Sequence, residues 1–261
     1  MVTEAVARPA ATILLLRDGA AGLEVFMVVR HHAIDFASGA LVFPGGRVEG
    51  SDHAFAAAIG AAAIGAMAFR LAAIRETFEE CGVLLARPQD DDALIDADRL
   101  RLVEDQHRAR LNAGEIGFDA VLAAHALRPA PDLLVHYAHW ITPSHQPKRY
   151  DTQFFLAEAP AEHVAIHDGH ESVDSIWITP QAALDGTEAG RYKLVFATQM
   201  NLTKLARHAT VAEAMAAARA SSVVTVQPRS TKIDATRRKL LIPLDAGYGG
   251  SEYIVDLPPA S

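Results

Sequence analysis

The hydrophobic pattern along the chain switches between short unbroken apolar runs and longer stretches where apolar positions return every three or four residues. Thr12–Leu16 and Val25–Val29 are apolar runs parted by Asp18-Gly19-Ala20-Ala21-Gly22, which predicts two strands and a hairpin turn. Arg30 to Gly39 reads as a polar loop. Ala40–Phe43 predicts a third strand, cut by Pro44-Gly45-Gly46, and two glycines there permit a tight reversal and close backbone approach. Arg47 to Asp52 continues as loop. His53–Arg70 is Ala-rich and predicts a helix that Gly60 and Gly65 weaken. It leads into a second helix with Leu71, Ile74, Phe78 and Cys81 on one side and Glu76, Glu79 and Glu80 on the other. Gly82 supplies the left-handed stop.

Downstream, Val83–Leu85 predicts a strand and Pro88–Asp92 a loop. Leu94–Asn112 and Phe118–Leu127 read as helical, broken by Gly114 and Gly117. After Pro129-Ala130-Pro131 come strands at Leu133–Ile141, Gln153–Ala157 and Ser175–Ile178, then a short helix at Gln181–Leu184. Leu194–His208 and Val211–Ala220 form a helix pair, and Val223–Val226 and Leu240–Pro243 are strands of a turn-rich tail. No repeat or low-complexity linker interrupts the chain. One elaborated domain over residues 1–261 is expected, with helical insertions near 53–70 and 90–128 and a C-terminal extension near 191–261.

Composition narrows the chemistry. Half of the 261 residues are hydrophobic, enough for a sizeable core. The formal charge is −8 with no dense run of Lys or Arg, which argues against a nucleic-acid polymer as partner. The single cysteine, Cys81, excludes an internal disulfide and suits a reducing compartment. The longest uncharged apolar run, Ala54–Phe69, is too short and too rich in Ala and Gly to span a membrane, so a cytoplasmic location is expected.

The acidic helix face carries the strongest chemical signal. Glu76, Glu79 and Glu80 fall within about 100° of one another on a helix. Like charges at that spacing repel by roughly 0.2–0.5 kcal/mol per pair, so stability alone does not explain them. Hard divalent cations such as Mg²⁺ take clustered carboxylate oxygens, whereas a solvated acidic face is the plainer explanation.

Phe43-Pro44-Gly45-Gly46, then Asp52, then Arg75-Glu76-x-x-Glu79-Glu80-x-Gly82-Val83 resembles the Nudix hydrolase signature G-x5-E-x7-R-E-U-x-E-E-x-G-U, with U aliphatic. Asp52 stands where the signature has Glu, and Thr77 at the first aliphatic position. Asp52 and Arg75 are 23 positions apart where the signature has 8, an insertion of 15 residues. An interrupted box is a trait of the branch that includes the peroxisomal coenzyme A diphosphatase. Gly39–Gly46, Ala73–Leu85 and Arg149-x-Asp151-Thr152-x-Phe154-Phe155 are also similar to that branch.

The resemblance implies an α/β/α sandwich around a mixed β-sheet and hydrolysis of a diphosphate in a nucleoside diphosphate derivative. It implies Glu76, Glu79 and Glu80 as metal ligands or base, the Gly46 carbonyl as a further ligand, and Mg²⁺ or Mn²⁺ as cofactor. A downstream acid, Glu171 in His167-Asp168-Gly169-His170-Glu171, is a further catalytic candidate. Arg75 is expected to orient the carboxylates. Arg30 and Arg149 are candidates to hold phosphate, Arg149 through its bidentate fork, and Phe43 to line a base pocket. Coenzyme A or an acyl-CoA is the substrate suggested first, giving 3′,5′-ADP and (acyl-)phosphopantetheine. ADP-ribose or a nucleotide sugar is the alternative, and a non-catalytic nucleotide sensor is the alternative of another class. The family's proteins are often dimers, so a homodimer is left open.

Overall fold

The computed structural model describes residues 5–30, 39–163, 165 and 172–256. Its centre is strand β1, Arg8–Gly19. The strand reads as an unbroken apolar run because both of its faces are buried. Leu14 and Leu16 belong to one core cluster, Ile13 and Leu15 to the other. A two-residue turn joins β1 to β2 (Gly22–Arg30), with Gly19 opposite Gly22.

Strands β3 (Leu41–Val42), β4 (Gly45–Arg47), β7 (Val135–Ile141), β8 (Tyr150–Glu158), β9 (Ser172–Ile178) and β10 (Thr225–Val226) complete an eight-stranded sheet. Its order is β10-β7-β8-β1-β2-β3, with β4 on β1 and β9 on β2. The β1–β8 and β10–β7 pairs are parallel and the others antiparallel. Helices α1 (Gly50–Ala58) and α2 (Ile64–Cys81) come before a short ribbon of β5 (Ala86–Pro88) and β6 (Leu127–Pro129). Between those two strands lie α3 (Ala97–Val103), a π-helical turn over Glu104–Arg108, α4 (Ala109–Asn112) and α5 (Phe118–Ala124). Helices α2, α3 and α5 pack one sheet face. Helices α6 (Pro180–Glu188), α7 (Phe196–Leu205) and α8 (Val211–Ala220) pack the other. The α/β/α sandwich around a mixed sheet is therefore present.

Some elements differ from the sequence reading. Gly45–Arg47 is a strand, because its hydrogen bonds go to β1. His53–Arg70 is not one helix: Gly60 at φ +71° ends the first, and α2 restarts at Ile64. Val83–Leu85 lies outside any strand, although all three side chains are buried. In the tail, β11 (Arg229–Lys232), β12 (Arg237–Leu241) and β13 (Glu252–Asp256) form their own sheet; β11 is polar throughout, and β13, though apolar at its centre, is not among the expected strands. The tail is tied back where Trp140 Nε1–H donates to Tyr248 Oη (2.8 Å) and Tyr248 O–H to Asn201 Oδ1 (2.9 Å). Among the described residues no helix is long and apolar enough to cross a membrane.

Phe78 is wholly buried on the inner side of α2 and seats that helix on the sheet. Phe78→Ala is expected to lower unfolding free energy by about 3–5 kcal/mol, read from guanidinium denaturation. A loss below about 1 kcal/mol would mean that α2 is anchored elsewhere.

Candidate active site

β1 and β2 pair only near their turn, from Leu16 opposite Val25 to Gly19 opposite Gly22. Beyond that point they part, and residues 41–47 fill the fork: β3 lies on β2, and β4 lies on β1. Ile13 N–H donates to Pro44 O (2.9 Å), and Thr12 faces Gly45. A Cβ on Gly45 would drive into the Ala11 carbonyl, and its φ of +153° also favours glycine. A Cβ on Gly46 would collide with the Glu76 carboxylate. The glycine pair thus lets the backbone lie directly against the acidic helix.

α2 brings Arg75, Glu76, Glu79 and Glu80 to this point before Gly82, at φ +69°, ends it. The five N–H bonds of the Arg75 guanidinium are all directed at acceptors. Nε–H and Nη2–H donate to the two oxygens of Asp52 (3.1 and 3.0 Å). Nη1 donates to Glu76 Oε1 and Glu79 Oε2, both at 2.9 Å, and Nη2 also to Arg47 O (3.0 Å). Glu80 Oε2 accepts from Gly45 N–H (3.1 Å). Asp52 also accepts from Glu49 N–H (2.8 Å), closing the first turn of α1. The aspartate at the signature's first acidic position therefore anchors Arg75. The 15 extra residues loop out through α1 and the start of α2 and return beside it.

Three carboxylates, Asp52, Glu76 and Glu79, contact the one guanidinium, and Glu80 lies on the Gly45 amide beside them, so negative charge is in excess. Burial raises the Glu79 carboxyl, Arg75 opposes this, and Glu76 adds to it; the result is about 7. For Arg75, burial works against the charge, but the bond to Asp52 and the charges of Glu76 and Glu79 outweigh it and hold its pKa up. Among the described residues no group of three or more His, Cys, Asp or Glu side chains is placed to hold a metal ion. Arg75 draws Glu76 and Glu79 to itself instead. The donor set nonetheless fits a hard cation: carboxylate oxygens in excess of the one guanidinium, and a glycine backbone without side-chain cover.

Other expected site residues lie elsewhere. Phe43 is core, packed in the cluster beneath α6–α8, because β3 turns it to the face away from the acids. Arg149 is buried, and its guanidinium donates to Thr142 O (3.1 Å) and Ala5 O (2.7 Å), so its fork joins two chain segments and is not presented as a phosphate clamp. The Arg30 side chain and Glu171 lie outside the described residues. Cys81 is buried, as expected of the inner helix face. Sequence reasoning missed Arg108 and Asn112. Arg108 Nε–H and Asn112 Nδ2–H donate to the Glu79 carbonyl (3.2 and 3.3 Å), capping the last turn of α2. Their separation from Glu79 along the chain hid the pairing; the helix end itself, which leaves carbonyls unsatisfied, was the available signal.

The raised Glu79 pKa has a defined sign. The folded protein holds this proton from the unfolded value of 4.5 up to about 7. In that window the folded state binds more protons, so stability falls as pH rises. Without divalent cations, Glu79→Gln is expected to flatten this loss and to be more stable than the parent at pH 8. Thermal melts in chelator from pH 4.5 to 8 check it; parallel curves for the two proteins would contradict it.

The family profile described as the NUDT19 Nudix domain matches residues 54–194. The chain is 26% identical over 209 residues to the Xenopus laevis acyl-coenzyme A diphosphatase NUDT19, covering 62% of this chain and 54% of that protein. It is 29% identical over 187 residues to the Caenorhabditis elegans putative nudix hydrolase 7, covering 70% and 56%. The chain thus spans about half the length of the curated relatives it matches. A crystal structure of a NUDIX hydrolase from Alicyclobacillus acidocaldarius superposes with a TM-score of 0.68 at 28% identity, over 81% of this chain and 96% of that one. The profile covers more than half of the chain and includes the whole Arg75–Gly82 stretch, and the chain belongs to the Nudix hydrolases, in the NUDT19 Nudix domain family.

Proposed function

We propose that the chain hydrolyses the diphosphate of a nucleoside diphosphate derivative, with coenzyme A or an acyl-CoA as substrate. The observation that carries this is the part-buried acidic cluster, four carboxylates with one guanidinium among them, laid against a backbone stripped of side chains by Gly45 and Gly46. The similarity to proteins named acyl-coenzyme A diphosphatase supports the choice of substrate.

Glu76, Glu79 and Glu80, with the Gly46 carbonyl, would hold Mg²⁺ or Mn²⁺. Such an ion neutralises phosphoryl oxygens and lowers the pKa of bound water. The chain's own groups do the rest. Arg75 fixes Glu76 and Glu79 through Nη1, so neither carboxylate swings away. The Gly45 amide holds Glu80. A carboxylate of this set that is not spent on the ion would take the proton of the attacking water as general base. A positioned base of this kind contributes roughly 10²–10⁴-fold.

The test is turnover of coenzyme A with Mg²⁺ or Mn²⁺, following 3′,5′-ADP and phosphopantetheine. Glu80→Gln is expected to lower kcat by about 10²–10³, with the fold intact by circular dichroism. Chelation should abolish turnover and re-addition of the ion restore it. Turnover of ADP-ribose in preference to coenzyme A would move the substrate to the alternative class. Nucleotide binding without turnover of any diphosphate would make the protein a sensor.

A further inference from the structure

A polar row crosses the sheet from the acidic site to its far edge. Gly46 faces Ala11 and Ala11 faces Gln153. Gln153 faces His139 and His139 faces Thr225. Residues paired across strands share a face, so these five positions form one line on the α2 side of the sheet. At about 4.8 Å per strand, the line reaches about 10 Å from Gly46 to Gln153 and about 19 Å to Thr225.

The apolar layer stops along this line. Ala11 is fully buried under α2, Gln153 and His139 are half-buried, and Thr225 is exposed. Gln153, His139 and Thr225 belong to neither large core cluster. Their side chains are nevertheless fixed. His139 bridges Asp151 (Nε2 to Oδ1, 2.5 Å) and Thr225 (Nδ1 to Oγ1, 2.8 Å), and His136 Nε2 holds Gln153 Oε1 (2.6 Å). A bulge in β7 makes this possible. The register shifts between His136 and Ala138, so His136 and His139 face the same way although they are three residues apart. Bulges re-aim side chains in this manner and concentrate beside active sites.

The row and its braces hold an amide, a hydroxyl, a carboxylate and two imidazoles, and the cation beside them, Arg70 over Phe155, donates to the Pro131 and Leu134 carbonyls. Such a surface suits hydrogen bonding to neutral polar groups, and the guanidinium beside it is already spent on backbone carbonyls. We infer that the row Gln153–His139–Thr225, with Asp151 and His136 bracing it, binds the uncharged, amide- and hydroxyl-bearing arm of the substrate while the acidic cluster holds its diphosphate. This rests on the proposed diphosphatase reading and names the arm that the site selects; in coenzyme A it is the pantetheine arm.

The variants Gln153→Leu, His139→Ala and Thr225→Val test the row. For each, kcat/KM for coenzyme A relative to ADP-ribose is expected to fall about tenfold, through KM more than kcat, the size of one lost hydrogen bond. His139→Gln, which keeps a polar side chain, should recover part of it. Binding of 4′-phosphopantetheine, measured by calorimetry, should weaken in step. An unchanged ratio with unchanged calorimetry overturns the inference, as does an equal loss on both substrates in a folded protein. If the parent chain cleaves no diphosphate but binds 4′-phosphopantetheine through these residues, the diphosphatase reading fails and the row stands.

Discussion

The site depends on one buried guanidinium. Arg75 directs all five N–H bonds to acceptors from three separate pieces of chain: Asp52 on α1, Glu76 and Glu79 on α2, and the Arg47 carbonyl on β4. Its side chain is 7% exposed and that of Asp52 is 3% exposed, so neither charge retains much water. A buried charge without partners is costly by several kcal/mol, and here each partner is also a structural tie. Arg75 therefore fixes the spacing of the two insertion ends and the tilt of α2 over the glycine strand. It does not neutralise the cluster. Burial, opposed by Arg75 and reinforced by Glu76, keeps the Glu79 carboxyl up, and the excess of carboxylates over guanidinium is the physical reason the cluster suits a cation from outside the chain.

The glycine pair supplies the complementary half of the constraint. Strands β1 and β2 splay after Leu16 and Val25, and the wedge of β3 and β4 satisfies the backbone groups that the fork would otherwise leave unpaired. Close approach inside a wedge leaves no room for Cβ atoms at Gly45 and Gly46. The same crowding brings the Gly45 amide onto Glu80, so a backbone dipole and an arginine hold the acids from two sides.

Much of this was legible from residue order because it is local. The amphipathic α2, its Gly82 stop, the β1–β2 hairpin and the unbroken apolar run of a doubly buried strand all follow from periodicities within a dozen residues. The acids that gather are neighbours on one helix. What stayed hidden depends on partners far along the chain. The Asp52–Arg75 pair could be expected from spacing only once the 15-residue interruption was accepted as an excursion. Arg149 carries the right chemistry for phosphate and is consumed by the carbonyls of Thr142 and Ala5, which no composition or period reveals. Phe43 sits next to the glycines in sequence, but strand alternation sends it to the opposite face. Strand β11 is polar enough to read as loop, because its pairing within a small sheet relies on backbone bonds more than burial.

The sheet then divides recognition between charge and hydrogen bonding. At the Gly46 end, α2 covers the face and the groups are ionic, so electrostatics in a partly desolvated setting dominates. Two strands away the cover ends, and the polar groups are held by one another through His136 and His139. A group fixed before a ligand arrives loses little further freedom on binding, which is where rigid strands outperform loops. The bulge at Tyr137 is the device that joins these regimes. It keeps Tyr137, Ala138 and Trp140 in the core under α7 and α8 while turning both histidines to the open face. A regular β7 would place one histidine in that apolar core, where an imidazole without partners is unfavourable, and would break the line that runs from the acids to the sheet edge.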